Sequence, residues 1–312
     1  MGVWGSGLYS GDFAMDLRST ISALARLPFD PDRLVEILCQ TEPAAAINPN
    51  DEENTTFWLI VADQFSKRGI VCDRAREKAL EIIDSNTDLT VLHELGMKDS
   101  DLRKRRKLLA EVRTRITAAP VPKARTVLKN PQPLLMEVGD VVVYPTRNGG
   151  SINPYYATIR MVNGRSWIPD GWGAAIIIGC GRAFDFLSWY RPLTLAEARG
   201  EKPALDWLRS DVLWRLELPG ACSPTHFKRL ELEKIGNLPL DSEKLAELLH
   251  GLRPGISAAV SDITLANRLK AVPYGSNRYA TVTGNARLGN TGTLIMGIGQ
   301  ILQDDMQHAS YM

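Results

Sequence analysis

The spacing of apolar residues predicts helices in the first third of the chain. Phe13, Leu17, Ile21 and Leu24 recur at steps of four and three, so they share one face of a helix that begins near Asp12. An apolar stripe of this kind has to be buried against other elements, which favours a helical bundle.

Four more segments in this part of the chain have helical patterning. They begin at Asp30, after Pro49, at Arg74 and at Leu102. Asp30-Pro31 combines a capping side chain with a proline in the first turn, a common opening of a helix. The segment with Phe57, Trp58 and Phe65 has so wide an apolar face that we expect it at the centre. Residues 1–118 are therefore predicted to form a compact bundle of about five helices.

A cluster of prolines follows the helical pattern. Pro120, Pro122, Pro131 and Pro133 fall within fourteen residues. Closely spaced prolines disfavour both helix and central strand, so residues 119–133 are predicted to be an exposed linker between domains.

Short runs of strand-forming residues come after the prolines. Residues 141–145, 155–162 and 174–178 are rich in β-branched, aromatic or other apolar side chains, with glycines and prolines near their ends. Helical spacing returns at Leu245, Leu248 and Leu249, and the end of the chain is rich in glycine. The prediction is an α+β protein with four parts: a helical domain (1–118), a proline-rich linker (119–133), a β-rich domain (134–240), and C-terminal helices with a glycine-rich tail (241–312).

Three motifs of the first part resemble a bacterial family known only as a domain of unknown function. They are Trp4-Gly5-Ser6-Gly7, Thr56-Phe57-Trp58-Leu59 and the segment 79–85. The resemblance covers residues 1–120 and implies a helical domain with no established activity. On physical grounds we expect the large ring of Trp4 to anchor the start of the chain in the bundle.

The β-rich part resembles the small SH3-like barrels of some bacterial immunity proteins. The similarity lies in Val138-Gly139-Asp140 before an apolar strand that ends at Pro145, a later aromatic strand, and the segment 227–239. It implies a partly open barrel over residues 134–240 that serves as a binding surface.

Composition and charge narrow the class of protein. The chain has 312 residues, 44% of them hydrophobic and 23% charged, which predicts a soluble folded protein. A formal net charge of +1 is unlike that of a protein that coats nucleic acid. The four cysteines form no C-x-x-C pair, and the sequence shows neither a signal peptide nor a spanning segment, so we expect a cytoplasmic location and no membrane partner.

The motifs of known reactions are incomplete. Gly179-Cys180-Gly181 follows an apolar run as in a dinucleotide site, but Phe184 stands where the third glycine belongs. The segment 284–291 has the spacing of a phosphate-binding loop, but Asn290 replaces its lysine. Cys222 and His226 lack further metal ligands at suitable spacing. We therefore predict no cofactor, no metal and no enzymatic activity.

A basic run stands out in the last predicted helix of the bundle. It consists of Arg103, Lys104, Arg105, Arg106 and Lys107. Five consecutive residues span more than one helical turn, so most of them must meet solvent or a partner. The first interpretation is a solvated face offset by Asp99, Asp101 and Glu111; the second is a surface for an acidic partner.

Two aromatic residues complete the set of candidates. Trp167 and Trp172 flank the turn-like Pro169-Asp170-Gly171, and tryptophan is common both in cores and at binding hot spots. If any tryptophan of the β-rich part is exposed for binding, we expect it to be one of these two.

The resulting hypothesis is a non-catalytic protein-binding module. Its specific form is an immunity or defence-associated protein that occludes a toxin or effector, which rests on the barrel resemblance. One alternative is a nucleic-acid adaptor that binds through the basic run. The other is an enzyme with a site around Asp170, Asp185 and His226, between the β-rich and C-terminal parts.

Overall fold

The computed structural model describes residues 5–119, 125–152, 161–162, 165–209, 212–250, 261–266 and 295–303. Its contacts divide the chain into two compact units, Met1–Asn130 and Pro131–Met312. The first unit is helical, and the second is built on a curled antiparallel sheet. The α+β class predicted from the sequence is confirmed, while the finer likeness to SH3-like barrels stays a prediction.

Seven helices form the described part of the first unit. They are α1 (Asp12–Leu24), α2 (Pro31–Thr41), α3 (Pro43–Ile47), α4 (Asn54–Lys67), α5 (Asp73–Asp84), α6 (Thr87–Glu94) and α7 (Asp99–Thr117). The periodicity predicts about five and misses α3 and α6. With five residues, α3 is too short to show a repeat. Only Ser85 and Asn86 separate α5 from α6, and Asn86 breaks the helix with a left-handed backbone at φ 59°.

The α4 helix lies at the centre of the bundle. It contacts α1, α3, α5, α6 and α7, and every residue from Phe57 to Phe65 is buried. The rings of Phe57 and Trp58 pack edge to face with centroids 5.1 Å apart, and Trp58 Nε1 donates to the Ala46 carbonyl at 3.2 Å. The central position predicted from its wide apolar face is therefore confirmed.

Helix α2 begins as its sequence predicts. The Asp30 carboxylate accepts a hydrogen bond from the Arg33 backbone N–H at 2.8 Å, and Pro31 occupies the first turn. The side chain thus satisfies one of the N–H groups that a helix start leaves without an internal partner.

The described part of the predicted linker is held in place. The Leu128 N–H donates to the Arg26 carbonyl at 2.7 Å, and the Arg125 guanidinium donates to the Phe29 carbonyl. Gln132 is buried, and its side-chain oxygen accepts from the backbone N–H of Ser188 at 3.0 Å. Lys129, Asn130, Pro131 and Pro133 are exposed. The described residues are thus partly exposed and partly anchored by their own polar groups, and the linker over 119–133 stays a prediction.

The second unit contains an eight-stranded antiparallel sheet. Its strand order is β10-β7-β6-β5-β1-β2, with β8 paired to β6 and β9 paired to β1, and β3 pairs with β4 in a separate ladder. The strands are β1 (Asp140–Arg147), β2 (Gly150–Ser151), β3 (Met161–Val162), β4 (Arg165–Ser166), β5 (Gly171–Ala183), β6 (Leu187–Leu195), β7 (Leu213–Leu216), β8 (Gly220–Ala221), β9 (Glu233–Asn237) and β10 (Ile295–Gly297).

Strand β5 is buried on both faces. Ala174, Ile176 and Ile178 belong to one core cluster, whereas Ala175 and Ile177 belong to another. Because neighbouring side chains of a strand point to opposite faces, a strand between two cores reads as an unbroken apolar run.

The glycines of β5 serve packing inside the sheet. A Cβ at Gly173 would come within 2.7 Å of the Tyr144 ring, and one at Gly181 within 3.0 Å of Trp189 Nε1. The segment 179–181 lies inside a strand and does not lead into a helix, so it lacks the geometry of a dinucleotide site.

Short helices and the described C-terminal residues complete the second unit. The helices are α8 (Leu205–Leu208), α9 (Pro224–Arg229), α10 (Ser242–His250), α11 (Asp262–Ala266) and a 3-10 turn (Ile298–Gln300). The sequence pattern predicts that 241–312 is separate from the β-rich domain. In the structure, β10 pairs with β7, and Ile298, Ile301 and Leu302 lie in a core of the same sheet. A strand of three residues is too short for its pattern to reveal this.

Some predictions fall on parts of the chain that the structure does not describe. These are the anchoring role of Trp4, the strand over 155–160 and the loop 284–291.

Candidate binding surfaces

The basic run lies in the first half of α7, and helix geometry divides it. Each residue turns the helix by about 100°, so Arg105 falls on the same face as Leu109, Val112 and Ile116. These four residues are buried. The other members of the run are exposed: Arg103, Lys104, Arg106 and Lys107.

Arg105 is a structural anchor. Its Nε and Nη2 atoms donate to the two carboxylate oxygens of Asp88, each at 2.9 Å, and Nη1 donates to the Gly7 carbonyl at 3.0 Å. The Asp88 side chain is fully buried and also accepts from the Thr55 hydroxyl at 3.3 Å. Arg105 is 3% exposed, so we remove it from the partner-binding candidates.

Three of the exposed cations form no contact ion pair among the described residues. Lys104 Nζ lies 2.8 Å from Asp101 Oδ1. In the part of the chain that the structure describes, Arg103, Arg106 and Lys107 form neither an ion pair nor a side-chain hydrogen bond. We call these three residues the basic face. Of the acidic residues expected to offset the run, only Asp101 pairs with it.

The two candidate tryptophans do not form one surface. Trp167 is 8% exposed and packs in a core cluster with Met136 and Tyr144, so it too is removed from the binding candidates. Trp172 is half-buried and packs against the other core cluster. The Lys202 ammonium lies 5.5 Å from its ring centroid, which covers part of what an external partner would contact.

The residues of the enzyme alternative do not come together. Asp170 precedes β5 and accepts from the Asn148 backbone N–H at 3.0 Å, while Asp185 follows β5 in the turn to β6. A strand of 13 residues spans about 40 Å when extended, so the two carboxylates lie near opposite ends of it. His226 lies in α9. Within the described residues, no group of three or more His, Cys, Asp or Glu side chains is placed to hold a metal ion.

One acidic residue with a raised pKa, Glu217, could not be found from the sequence. Burial raises the pKa of Glu217 to about 7, against the opposing effects of a hydrogen bond from Thr194 and the positive charge of Arg215. The Thr194 hydroxyl donates to Glu217 Oε1 at 3.0 Å. A single Glu at the end of a short strand gives no signal in the sequence, because its burial depends on strands that pair over long range.

A second buried acid organises the helical unit. The fully buried carboxylate of Asp63 accepts from Tyr9 and Arg115 and from Lys67 Nζ at 2.6 Å. These bonds connect the start of the chain and the end of α7 to the central helix. Burial and the neighbouring Asp63 raise the pKa of the Tyr9 hydroxyl, so it stays protonated as the donor.

No family model, curated protein or solved structure matches the chain. Among the described residues, no helix combines the length and the apolar character needed to cross a membrane. The side chains themselves are therefore the basis for a functional assignment.

Proposed function

We propose that this protein is a non-catalytic binding protein that recruits an acidic protein partner through the basic face of α7. The observation that supports it is a cluster of three exposed cations that pair with no described residue, Arg103, Arg106 and Lys107.

The cations of this cluster repel one another. Arg103 lies three residues before Arg106 and four before Lys107, the spacings at which helix side chains are neighbours. Like charges at these spacings destabilise a helix by about 0.2–0.5 kcal/mol per pair. Charges on ordinary surfaces are mixed in sign, which relieves this repulsion. An acidic partner would relieve it on binding.

The size of the basic face favours a protein over a nucleic acid. Its ends, Arg103 and Lys107, are four positions apart, which is about 6 Å along the helix axis. Nucleic-acid surfaces with strong salt dependence make about 6–10 phosphate contacts, and the net charge of the chain is only +1. The resemblance of 134–240 to barrels of immunity proteins suggests a toxin or effector as the partner, and that part of the proposal stays a prediction.

Quantitative affinity capture from the native cell tests the proposal. The baits are the parent and the triple variant Arg103→Gln, Arg106→Gln, Lys107→Gln. Glutamine keeps a good helix former at each position, so the fold should survive. An acidic protein should be recovered with the parent, and its recovery should fall at least tenfold with the variant and decline as salt is added.

A charge-matched control removes three exposed cations elsewhere. Arg33, Arg76 and Lys78 lie on α2 and α5, each in an exposed ion pair with an acid on the same helix. Their triple glutamine variant has the same net charge and should capture the partner like the parent. Equal recovery of every protein with all three baits would refute the proposal, and loss of bound nucleic acid alone would favour the adaptor alternative.

A further inference from the structure

A second cluster of cations surrounds an open pocket in the helical unit. The pocket has a volume of about 240 Å³ and lies where α1 and α4 end. Its lining consists of Ser22, Ala25, Arg26, Lys67, Arg68, Arg125 and Thr126. Four of these seven side chains are cationic and none is acidic.

The described contacts leave donors of this pocket unused. Arg125 donates one Nη to the Phe29 carbonyl, but its Nη1 is buried with no hydrogen-bond partner among the described residues. Arg26 is exposed and forms no ion pair in the described part of the chain. Nη1 of Arg125 is shielded from solvent, so Arg26 is the one of these two residues whose donors a ligand in the open pocket reaches directly.

The other two cations are only partly neutralised. Lys67 Nζ lies 2.6 Å from Asp63 Oδ2, but Asp63 also binds Arg115. Arg68 donates to the backbone and side-chain oxygens of Gln64, which are uncharged.

Positive charge exceeds negative charge around the pocket. Each helix C-terminus contributes about half a negative charge, and the Asp63 carboxylate is shared with Arg115. Asp30 offsets part of the Arg125 charge, whereas Arg18 adds positive charge near Arg68. An anion such as a phosphate monoester, with a charge of about −1.5 to −2 near neutral pH, would offset this excess.

Burial makes this imbalance costly. It lowers the pKa of Arg68 and of Arg125, which means that water compensates their charges less well than on an open surface. The nearby positive charge of Arg18 acts on Arg68 in the same direction. A bound anion would stabilise both guanidinium groups.

We propose that this pocket binds a small soluble phosphate-bearing ligand, with its phosphate held by Arg26, Lys67, Arg68 and Arg125. Guanidinium groups present paired donors that match phosphate oxygens. Ser22 and Thr126 are also in the lining, and their hydroxyls are able to donate to a small body attached to the phosphate. The volume is below the range of about 300–1,000 Å³ typical of drug-sized ligands, which limits how large that body is.

This site is separate from the basic face. Arg115, which binds the same carboxylate as Lys67, lies eight residues beyond Lys107 on α7, about 12 Å along the helix from the nearest member of the basic face. Failure of one proposal therefore leaves the other standing.

Calorimetric titration of the full chain with inorganic pyrophosphate tests the proposal, with chloride at matched ionic strength as the reference. Pyrophosphate should bind at a single site. Arg26→Gln should weaken binding roughly tenfold or more, because a hydrogen bond to a charged group is worth about 1.5–3 kcal/mol. The Arg26 side chain forms no hydrogen bond or ion pair with a described residue, so this variant should keep the parent's thermal stability.

Arg125→Gln should also weaken pyrophosphate binding. The thermal stability of this variant shows whether the contact between Arg125 and the Phe29 carbonyl is also needed for folding. Lys78→Gln, an exposed cation on α5 outside the pocket, should bind pyrophosphate like the parent. Absence of pyrophosphate binding, or binding that Arg26→Gln leaves unchanged, would overturn the proposal. Binding to vesicles that carry phosphatidic acid, without binding of pyrophosphate, would overturn the soluble ligand in favour of a lipid headgroup.

Discussion

Arg105 and Arg106 are adjacent in the sequence but occupy opposite environments. Arg105 is buried in a two-point ion pair with Asp88, whereas Arg106 is exposed and unpaired within the described residues. Removing one partner of a buried ion pair leaves an uncompensated charge, which costs about 3–5 kcal/mol. Exposed positions away from such features usually change stability by less than about 0.5 kcal/mol.

Arg105→Gln should therefore lower the free energy of unfolding by about 3–5 kcal/mol, and Arg106→Gln should leave it nearly unchanged. Urea denaturation of both variants measures the difference. Similar effects of the two substitutions would mean that α7 does not have the orientation described.

Glu217 should make the second unit sensitive to pH. Its pKa rises from 4.5 to about 7 on folding, so between these values the folded state binds more protons than the unfolded chain. Below pH 4.5 the protonated Glu217 side chain makes its full contribution to the free energy of unfolding. As the pH rises through about 7, this contribution is lost, which lowers the free energy of unfolding by about 3 kcal/mol in total.

Glu217→Gln tests this, because glutamine stays neutral at every pH. The variant should gain stability relative to the parent as pH increases from 5 to 8, as measured by urea unfolding across that range. A difference between variant and parent that is constant with pH would contradict the raised pKa.

At the scale of elements, β5 shows how a strand is held between two cores. Ile176 and Ile177 are both fully buried but belong to different clusters. Truncation of a buried isoleucine to alanine costs about 2–5 kcal/mol. Ile176→Ala and Ile177→Ala should each destabilise by that amount, while Ile168→Ala, at a 66% exposed position, should have little effect. Thermal unfolding checks all three, and a large effect at only one of the two β5 positions would indicate a sheet with one solvated face.

The elements differ in how far the sequence predicts them. The α4 helix and the start of α2 follow from local signals, a wide apolar face and a capped proline. Helix α3 and strand β10 have five and three residues, so they depend on packing and pairing that no local pattern contains. The basic run is visible in sequence, but the choice of Arg105 as the buried member is set by the register of α7 and by Asp88, 17 residues earlier. The pocket lined by Arg26, Lys67, Arg68 and Arg125 brings together residues near the ends of α1 and α4 with the segment after α7. No spacing in the sequence links these residues.

At the scale of the whole molecule, the contacts give two units with the boundary after Asn130. Leu128 and Arg125 donate to the backbone carbonyls of Arg26 and Phe29 in the same unit. A fragment of residues 1–130 should therefore unfold cooperatively, and a fragment of residues 1–119 should be less stable because it lacks these bonds. Circular dichroism during heating compares the two. Equal melting temperatures would show that 125–130 adds nothing to the helical unit, and an unfolded 1–130 fragment would contradict the division.

The central claim is that the exposed cations of α7 form the binding surface. Its most direct test is the association rate of the captured acidic partner with the parent, the basic-face variant and the charge-matched control, measured over a series of salt concentrations. Complementary charges act mainly on association, and salt screens them. We expect slower association and a weaker salt dependence for the basic-face variant alone. Identical rates and salt dependence for the parent and the basic-face variant would contradict it.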